Sequence, residues 1–195
     1  MKREQVLAHL VSRISEDDLI IAIFGDLSDQ LYRLADRAGN FYLRGAMGLA
    51  SSIGLGLAIA APKKKVIVLD GDGSILMNLG SLATVASESP TNLIHVIVDN
   101  QSHAAVGGFP TATAYETDLA LIAKGAGIRS AQTVRALGEF DRAFRRAIST
   151  AGPHVLVCKV DLDLSSGKGQ ATRLVYVTER FMARAKEHNP NLRDI

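Results

Sequence analysis

A single cysteine, Cys158, stands in a chain of 195 residues, so neither an internal disulfide framework nor a cysteine zinc site can be built from it. That scarcity points to a reducing, cytoplasmic setting. An excess of either charge is also missing: the net charge is +2, too mild for a nucleic-acid footprint. The one basic run, Lys63 to Lys65, follows Pro62 and reads as a solvated turn. No apolar run is long enough for a membrane span, because the stretch from Met47 to Ala61 is short and rich in glycine and serine. The first residues, MKREQVLAHLVSRISEDD, alternate in charge and lack the apolar core of a signal peptide. A soluble, untargeted protein without nucleic-acid or membrane partners is expected. Repeats and low-complexity tracts are missing as well.

What remains is globular composition, 47% hydrophobic and 22% charged, at a length suited to one ordinary domain. Helix-period and strand-like segments alternate. Residues 3–14 place Val6, Leu7, Leu10, Val11 and Ile14 on one stripe, predicting a helix, and 19–24 (LIIAIF) reads as a buried strand. A helix capped by Asp26 or Ser28 is predicted to about Arg37, and another over 47–61. Strands follow at 66–70, 93–98, 128–133 and 154–160, with helices at 75–87, 118–125, 137–149 and 175–187. Residues 99–117 read as a long Gly, Pro and Thr loop, a candidate working loop. Residues 162–195 read as a polar linker and terminal helix attached to a single domain. Apolar strands alternating with helices imply an α/β, doubly wound, three-layer fold with a mostly parallel sheet.

In such sheets ligands sit outside the carboxyl ends of the strands. Asp72 and Asn100 each follow a strand by a residue or two, so both should emerge on that edge and meet. Gly71 and Gly73 let backbone approach closely, Ser74 adds a hydroxyl, and a turn opening a helix seats phosphate well. An aspartate in that turn repels a bare phosphate, and a divalent cation between them removes the conflict. Mg²⁺ suits the case, since it takes oxygen ligands from one or two protein groups plus phosphates. Asp72, the amide oxygen of Asn100 and a carbonyl such as that of Ser102 would supply the protein share. The spacing of GDGSILMNLG fits neither a P-loop nor a G-x-G-x-x-G nucleotide turn.

The run from Gly71 to Asn100 resembles the diphosphate-binding motif of thiamine-diphosphate-dependent enzymes: a Gly-Asp-Gly and, one helix and one strand later, a closing Asn pair. Here that pair is Asp99 and Asn100, so the second, metal-binding position is kept and the first is changed. Upstream, FYLRGAMGLASSIGLGLAIA resembles the other half of that cofactor site. The resemblance implies that Gly45 accepts a hydrogen bond from the cofactor's aminopyrimidine, that Ala46 lies beside it, and that Met47 is the apolar wedge beneath the cofactor. Within the family, MGLASSIGLGLA, GDGS and MNLG are similar to the sulfopyruvate and phosphonopyruvate decarboxylases.

That resemblance implies the diphosphate- and Mg²⁺-binding part of a thiamine-diphosphate-dependent 2-oxoacid decarboxylase, cofactors thiamine diphosphate and Mg²⁺. The family's activating glutamate belongs to a pyrimidine-binding domain. No glutamate here stands in a matching context, so a separate pyrimidine-binding subunit is the expected partner, in a hetero-oligomer built on dimers, with a small 2-oxoacid as substrate. His103, beside the metal loop, is the candidate catalytic group for proton transfer, against a plain loop histidine. Arg44 is a candidate for a sulfonate or phosphonate, and His95 and His154 read as structural. An acetolactate-synthase-like carboligase subunit and a non-catalytic assembly subunit are the competing readings.

Overall fold

A computed structural model describes residues 1–163 and 174–187. The chain runs α1 (Arg3–Val11), β1 (Leu19–Ala22), α2 (Asp26–Ala35), β2 (Asn40–Tyr42), α3 (Ala50–Ala60), β3 (Val66–Gly71), α4 (Asp72–Ile75), α5 (Gly80–Glu88) and β4 (Leu93–Asp99). It continues through β5 (Ser102–His103), β6 (Phe109–Pro110), α6 (Leu119–Gly125), β7 (Ser130–Val134), α7 (Leu137–Ser149), β8 (His154–Lys159) and α8 (Leu174–Lys186).

Six strands form one sheet in the order β2-β1-β3-β4-β8-β7, every neighbouring pair parallel. The central strands β1, β3, β4 and β8 are apolar almost throughout because both faces are covered. Helices α3 and α5 pack together on one face, while α1 packs with α2 and α7. The chain steps from β1 outward to β2, then returns past β1 to β3. The switch point therefore lies between β1 and β3, and their carboxyl ends open a crevice there.

Four local expectations change. β2 is a three-residue edge strand, too short to show a period in the sequence, although its Tyr42 and Asn40 are buried and hydrogen-bonded to each other at 3.0 Å. α3 starts at Ala50 rather than Met47, because Gly45, Ala46 and Gly48 all take positive φ and hold residues 45–48 as a loop. The helix expected over 75–87 is broken into α4, a 3-10 turn over Leu76–Asn78, and α5. At α2 the N-cap is Gly25, not Asp26 or Ser28; the Ser28 hydroxyl donates to the Gly25 carbonyl at 3.0 Å.

Lys64 also departs from the solvated turn expected of it. It is buried, and its ammonium donates to the Arg184 carbonyl at 2.9 Å, which docks α8 onto the domain. Phe181 of α8 meets Phe41 with ring centroids 5.2 Å apart, and Arg180 pairs with Asp36. α8 matches the helix expected at 175–187; residues 164–173 and 188–195 of the linker and tail lie outside the described residues. No helix among the described residues is long and apolar enough to cross a membrane.

His95 and His154 are structural, as expected. His95 Nε2 lies 3.3 Å from Asp70 Oδ2 in the core, and His154 Nδ1 lies 2.6 Å from the Ser130 hydroxyl. Cys158 is fully buried on β8, and burial pushes its thiol well above the ordinary range. The thiolate is the reacting species. Ellman's reagent should therefore label no thiol in the folded chain and one per chain in denaturant; rapid labelling of the native protein would show that β8 opens.

Candidate functional site

The crevice at the switch point is a cavity of about 230 Å³. Its wall comes from the residues after β1 (Ile23 to Leu27), the turn after β3 (Gly71 to Ser74), and the segment after β4 (Asn100 and Ser102 to Val106). Val98 of β4, Met47 of the loop before α3 and Arg3 of α1 complete it. Thus Asp72 faces one space with Asn100 and Ser102, which lie 28 and 30 residues further along the chain.

Asp72 is buried at the first turn after β3; its Oδ2 accepts from the Thr111 hydroxyl at 2.5 Å, and the Thr113 hydroxyl lies 3.2 Å from the same oxygen. Burial pushes its carboxyl above the usual carboxylate range, with the Thr111 hydrogen bond pulling the other way and the Asp99 charge adding to the rise. A buried carboxylate so placed calls for a cation. The other oxygens on the cavity wall include the Asn100 amide and Ser102, an all-oxygen set that fits Mg²⁺ rather than zinc. No group of three or more His, Cys, Asp or Glu able to hold a metal exists among the described residues.

The changed first position of the closing pair is compensated. Asp99 Oδ2 lies 2.6 Å from the Lys159 ammonium, while its Oδ1 accepts from the Gln101 amide (3.0 Å) and the Thr113 hydroxyl (2.8 Å). Lys159 on β8 neutralises the carboxylate that stands where the family has an amide. Gln101 takes a left-handed conformation (φ 61°), an uncommon one for a side chain of this size. It is held there because its side chain donates to the Thr113 carbonyl at 2.6 Å and the Ser102 amide donates to the Asn100 side chain at 3.0 Å. That bend turns Asn100 and Ser102 toward the cavity.

The expected loop over 99–117 is therefore ordered. It contains the hairpin β5–β6 and two 3-10 turns, and its Thr111 and Thr113 clasp Asp72. Sequence reading missed both threonines and Lys159, since nothing local distinguishes them from ordinary loop and strand residues.

The glycine-rich loop before α3 is tied to the same turn. The Gly48 amide donates to the Ser74 hydroxyl oxygen, and the Asn78 amide donates to the Gly48 carbonyl, both at 3.0 Å. Met47 lines the cavity; Gly45 and Ala46, expected at the cofactor, are not part of its wall. Arg44 is exposed and does not reach the cavity. Its place as the cavity's cation is taken by Arg3, which the sequence reading passed over.

His103 lies against Gly73. A Cβ at residue 73 would stand 2.6 Å from His103 Nδ1 and 3.5 Å from the Met47 methyl, so only glycine lets the imidazole close over the turn. Gly73→Ala should push the ring aside and lower any activity of the assembled protein by roughly 10- to 100-fold, as a displacement of about 1 Å can. Circular dichroism of that variant should stay native; full activity would mean that the ring's position is immaterial.

Residues 25–158 match the family model described as thiamine pyrophosphate enzyme, C-terminal TPP binding domain. The sulfopyruvate decarboxylase subunit beta of Methanocaldococcus jannaschii is 44% identical over 158 residues, covering 81% of this chain and 83% of that one. The phosphonopyruvate decarboxylase of Streptomyces viridochromogenes is 40% identical over 184 residues, 93% of this chain but 45% of the relative. Among solved structures, the thiamine diphosphate-dependent 4-hydroxybenzoylformate decarboxylase of Rhodococcus jostii superposes with a TM-score of 0.72 at 19% identity, over 85% of this chain and 33% of that one. With the oxygens of the cavity wall, the clasped aspartate and the matched span now together, the chain belongs to the thiamine pyrophosphate enzyme family and carries its C-terminal TPP binding domain.

Proposed function

We propose that this chain is the diphosphate- and Mg²⁺-binding subunit of a two-subunit, thiamine-diphosphate-dependent 2-oxoacid decarboxylase, with sulfopyruvate as the favoured substrate and phosphonopyruvate next. The observation that carries it is the convergence of Asp72, Asn100 and Ser102 on one cavity at the switch point. Sulfopyruvate is favoured because the chain spans most of a relative named as a separate subunit, and less than half of the phosphonopyruvate enzyme.

Thiamine diphosphate, when bound, supplies the electron sink for loss of carbon dioxide from a 2-oxoacid. The chain's own residues bind and orient. Asp72, the Asn100 amide oxygen and the Ser102 carbonyl would hold Mg²⁺, and the turn Gly71, Gly73 and Ser74 would receive the diphosphate. Gly45 and Ala46 would meet the aminopyrimidine, and Met47 would pack beneath the ring system. His103 supplies the one imidazole on the cavity wall among the described residues, and its ring nitrogens would give or take a proton there. No glutamate lines the cavity among the described residues, which supports a pyrimidine-binding partner subunit as the source of the activating carboxylate.

The test pairs the chain with any pyrimidine-binding subunit encoded beside it. Calorimetry should show Mg²⁺-dependent binding of thiamine diphosphate, and the mixture alone, not either chain, should release carbon dioxide from sulfopyruvate. Acetohydroxy acid from pyruvate would replace this reading with the carboligase one; cofactor binding without turnover of any 2-oxoacid would favour an assembly subunit.

A further inference from the structure

Arg3 is the one permanent cation that lines the cavity among the described residues. It belongs to α1, ahead of the matched family span, and its side chain is only 12% exposed. Its Nε donates to Gln30 Oε1 on α2 at 2.8 Å, which fixes the plane of the guanidinium. Its terminal nitrogens are much less committed. Nη1 lies 3.9 Å from Asp26 Oδ2 and Nη2 lies 3.9 Å from Asp163 Oδ2.

A charge-assisted N–H···O bond closes to about 2.7–2.9 Å. Both carboxylates stand beyond that reach. An arginine committed to an ion pair looks different, as Arg13 in the turn just after α1 shows: its Nη2 and Nε each lie 3.1 Å from Asp141 Oδ1. Arg3 is oriented by Gln30 while its terminal fork stays free to meet a bidentate oxyanion.

Charge balance names the oxyanion. The turn after β3 and the segment after β4 bring Asp72 and neutral oxygens to the cavity, with no lysine or arginine. A Mg²⁺-bound diphosphate still carries net negative charge, and Asp72 adds to it. The opposite wall holds the start of α2, a ten-residue helix whose N-cap, Gly25, presents bare backbone at φ 95°. First-turn amides and a guanidinium beside them form a phosphate seat, and the Asp26 carboxylate at that turn is the charge the guanidinium offsets.

We propose that Arg3 is a cofactor-binding residue: its guanidinium, held in plane by Gln30, takes the diphosphate oxygens on the side of the cavity opposite the metal ligands. This rests on the function proposed above and adds a residue from outside the family's cofactor-binding span. It also makes α1 part of the site, so that cofactor binding tightens α1 against α2.

The test uses the two-subunit assembly with Arg3→Gln and Arg3→Lys, titrated calorimetrically with Mg²⁺-thiamine diphosphate and with Mg²⁺-pyrophosphate. Arg3→Gln should weaken both ligands by roughly 10- to 100-fold, as loss of charged hydrogen bonds does. Arg3→Lys should fall between, since it keeps the charge and loses the fork. Lysine also serves where the glutamine variant folds poorly by circular dichroism. Unchanged affinity for Mg²⁺-pyrophosphate in both variants overturns the proposal. A raised KM for sulfopyruvate with both dissociation constants unchanged overturns it too, and assigns Arg3 to the substrate's oxyanion. If wild-type assembly binds neither ligand, the proposed function falls and this falls with it.

Discussion

Asp72→Asn will leave the chain folded and take away its metal-dependent cofactor binding. The amide is nearly isosteric, and one oxygen remains to accept from the Thr111 hydroxyl now at 2.5 Å from Oδ2. What disappears is the negative charge. Burial already pushes this carboxyl above its ordinary range, which means that the folded chain holds the ionised form at a cost. The unliganded variant should therefore melt at the wild-type temperature or slightly above it.

The liganded comparison runs the other way. Even an outer-shell change lowers metal affinity by about 10- to 100-fold, and loss of a charged ligand should exceed that. A ligand at 100 times its dissociation constant stabilises the native state by about 2.7 kcal/mol. Wild-type assembly should thus gain several degrees with Mg²⁺ and thiamine diphosphate, and the variant none. Differential scanning calorimetry reads both effects. A variant that gains as much as wild type would remove Asp72 from the metal site.

The positions of Asp72 and Asn100 were legible because chemistry and topology agree at those residues. An acidic residue between two glycines after an apolar strand has few purely structural uses, and a parallel sheet must bring two strand ends to one edge. Partners that act across the fold leave no such mark. Thr111 and Thr113 look like any loop threonines until the hairpin β5–β6 folds them back onto Asp72. Lys159 looks like the polar end of β8 until β4 sets Asp99 beside it. Arg3 did leave a local mark, which was passed over: it stands in helical register with Val6, Leu7 and Leu10 on the buried stripe of α1, where an arginine is out of place. Lys64 shows the same limit in reverse, since its local context is that of a solvated turn and its actual contact is α8, 120 residues on.

Gly54→Ala should be the most damaging single-methyl change in the fold, and Gly56→Ala on the same helix should do the opposite. Both replace glycine within α3, where alanine improves helix propensity by about 1 kcal/mol. Their surroundings differ. A Cβ on residue 54 would stand 2.1 Å from Val68 Cγ2, in the middle of β3, whereas a Cβ on residue 56 meets nothing within 4 Å. Val68 is β-branched, so its methyl has little rotamer freedom with which to yield. Overpacking of a tight core costs about 1–3 kcal/mol and here exceeds the propensity gain, because helix and strand themselves must part. For a chain of this size each kcal/mol moves the melting temperature by about 2–4 °C. Gly54→Ala should lower it by roughly 3–8 °C, and Gly56→Ala should raise it by about 2–4 °C. The displacement also reaches the site. The loop that opens α3 hangs on Ser74 and Asn78 through Gly48, so lifting α3 off β3 drags Met47 from the cavity wall. Weaker cofactor binding should accompany the lower melting temperature in Gly54→Ala and not in Gly56→Ala. Equal stabilisation by both substitutions would show that α3 rides higher on the sheet than this packing requires.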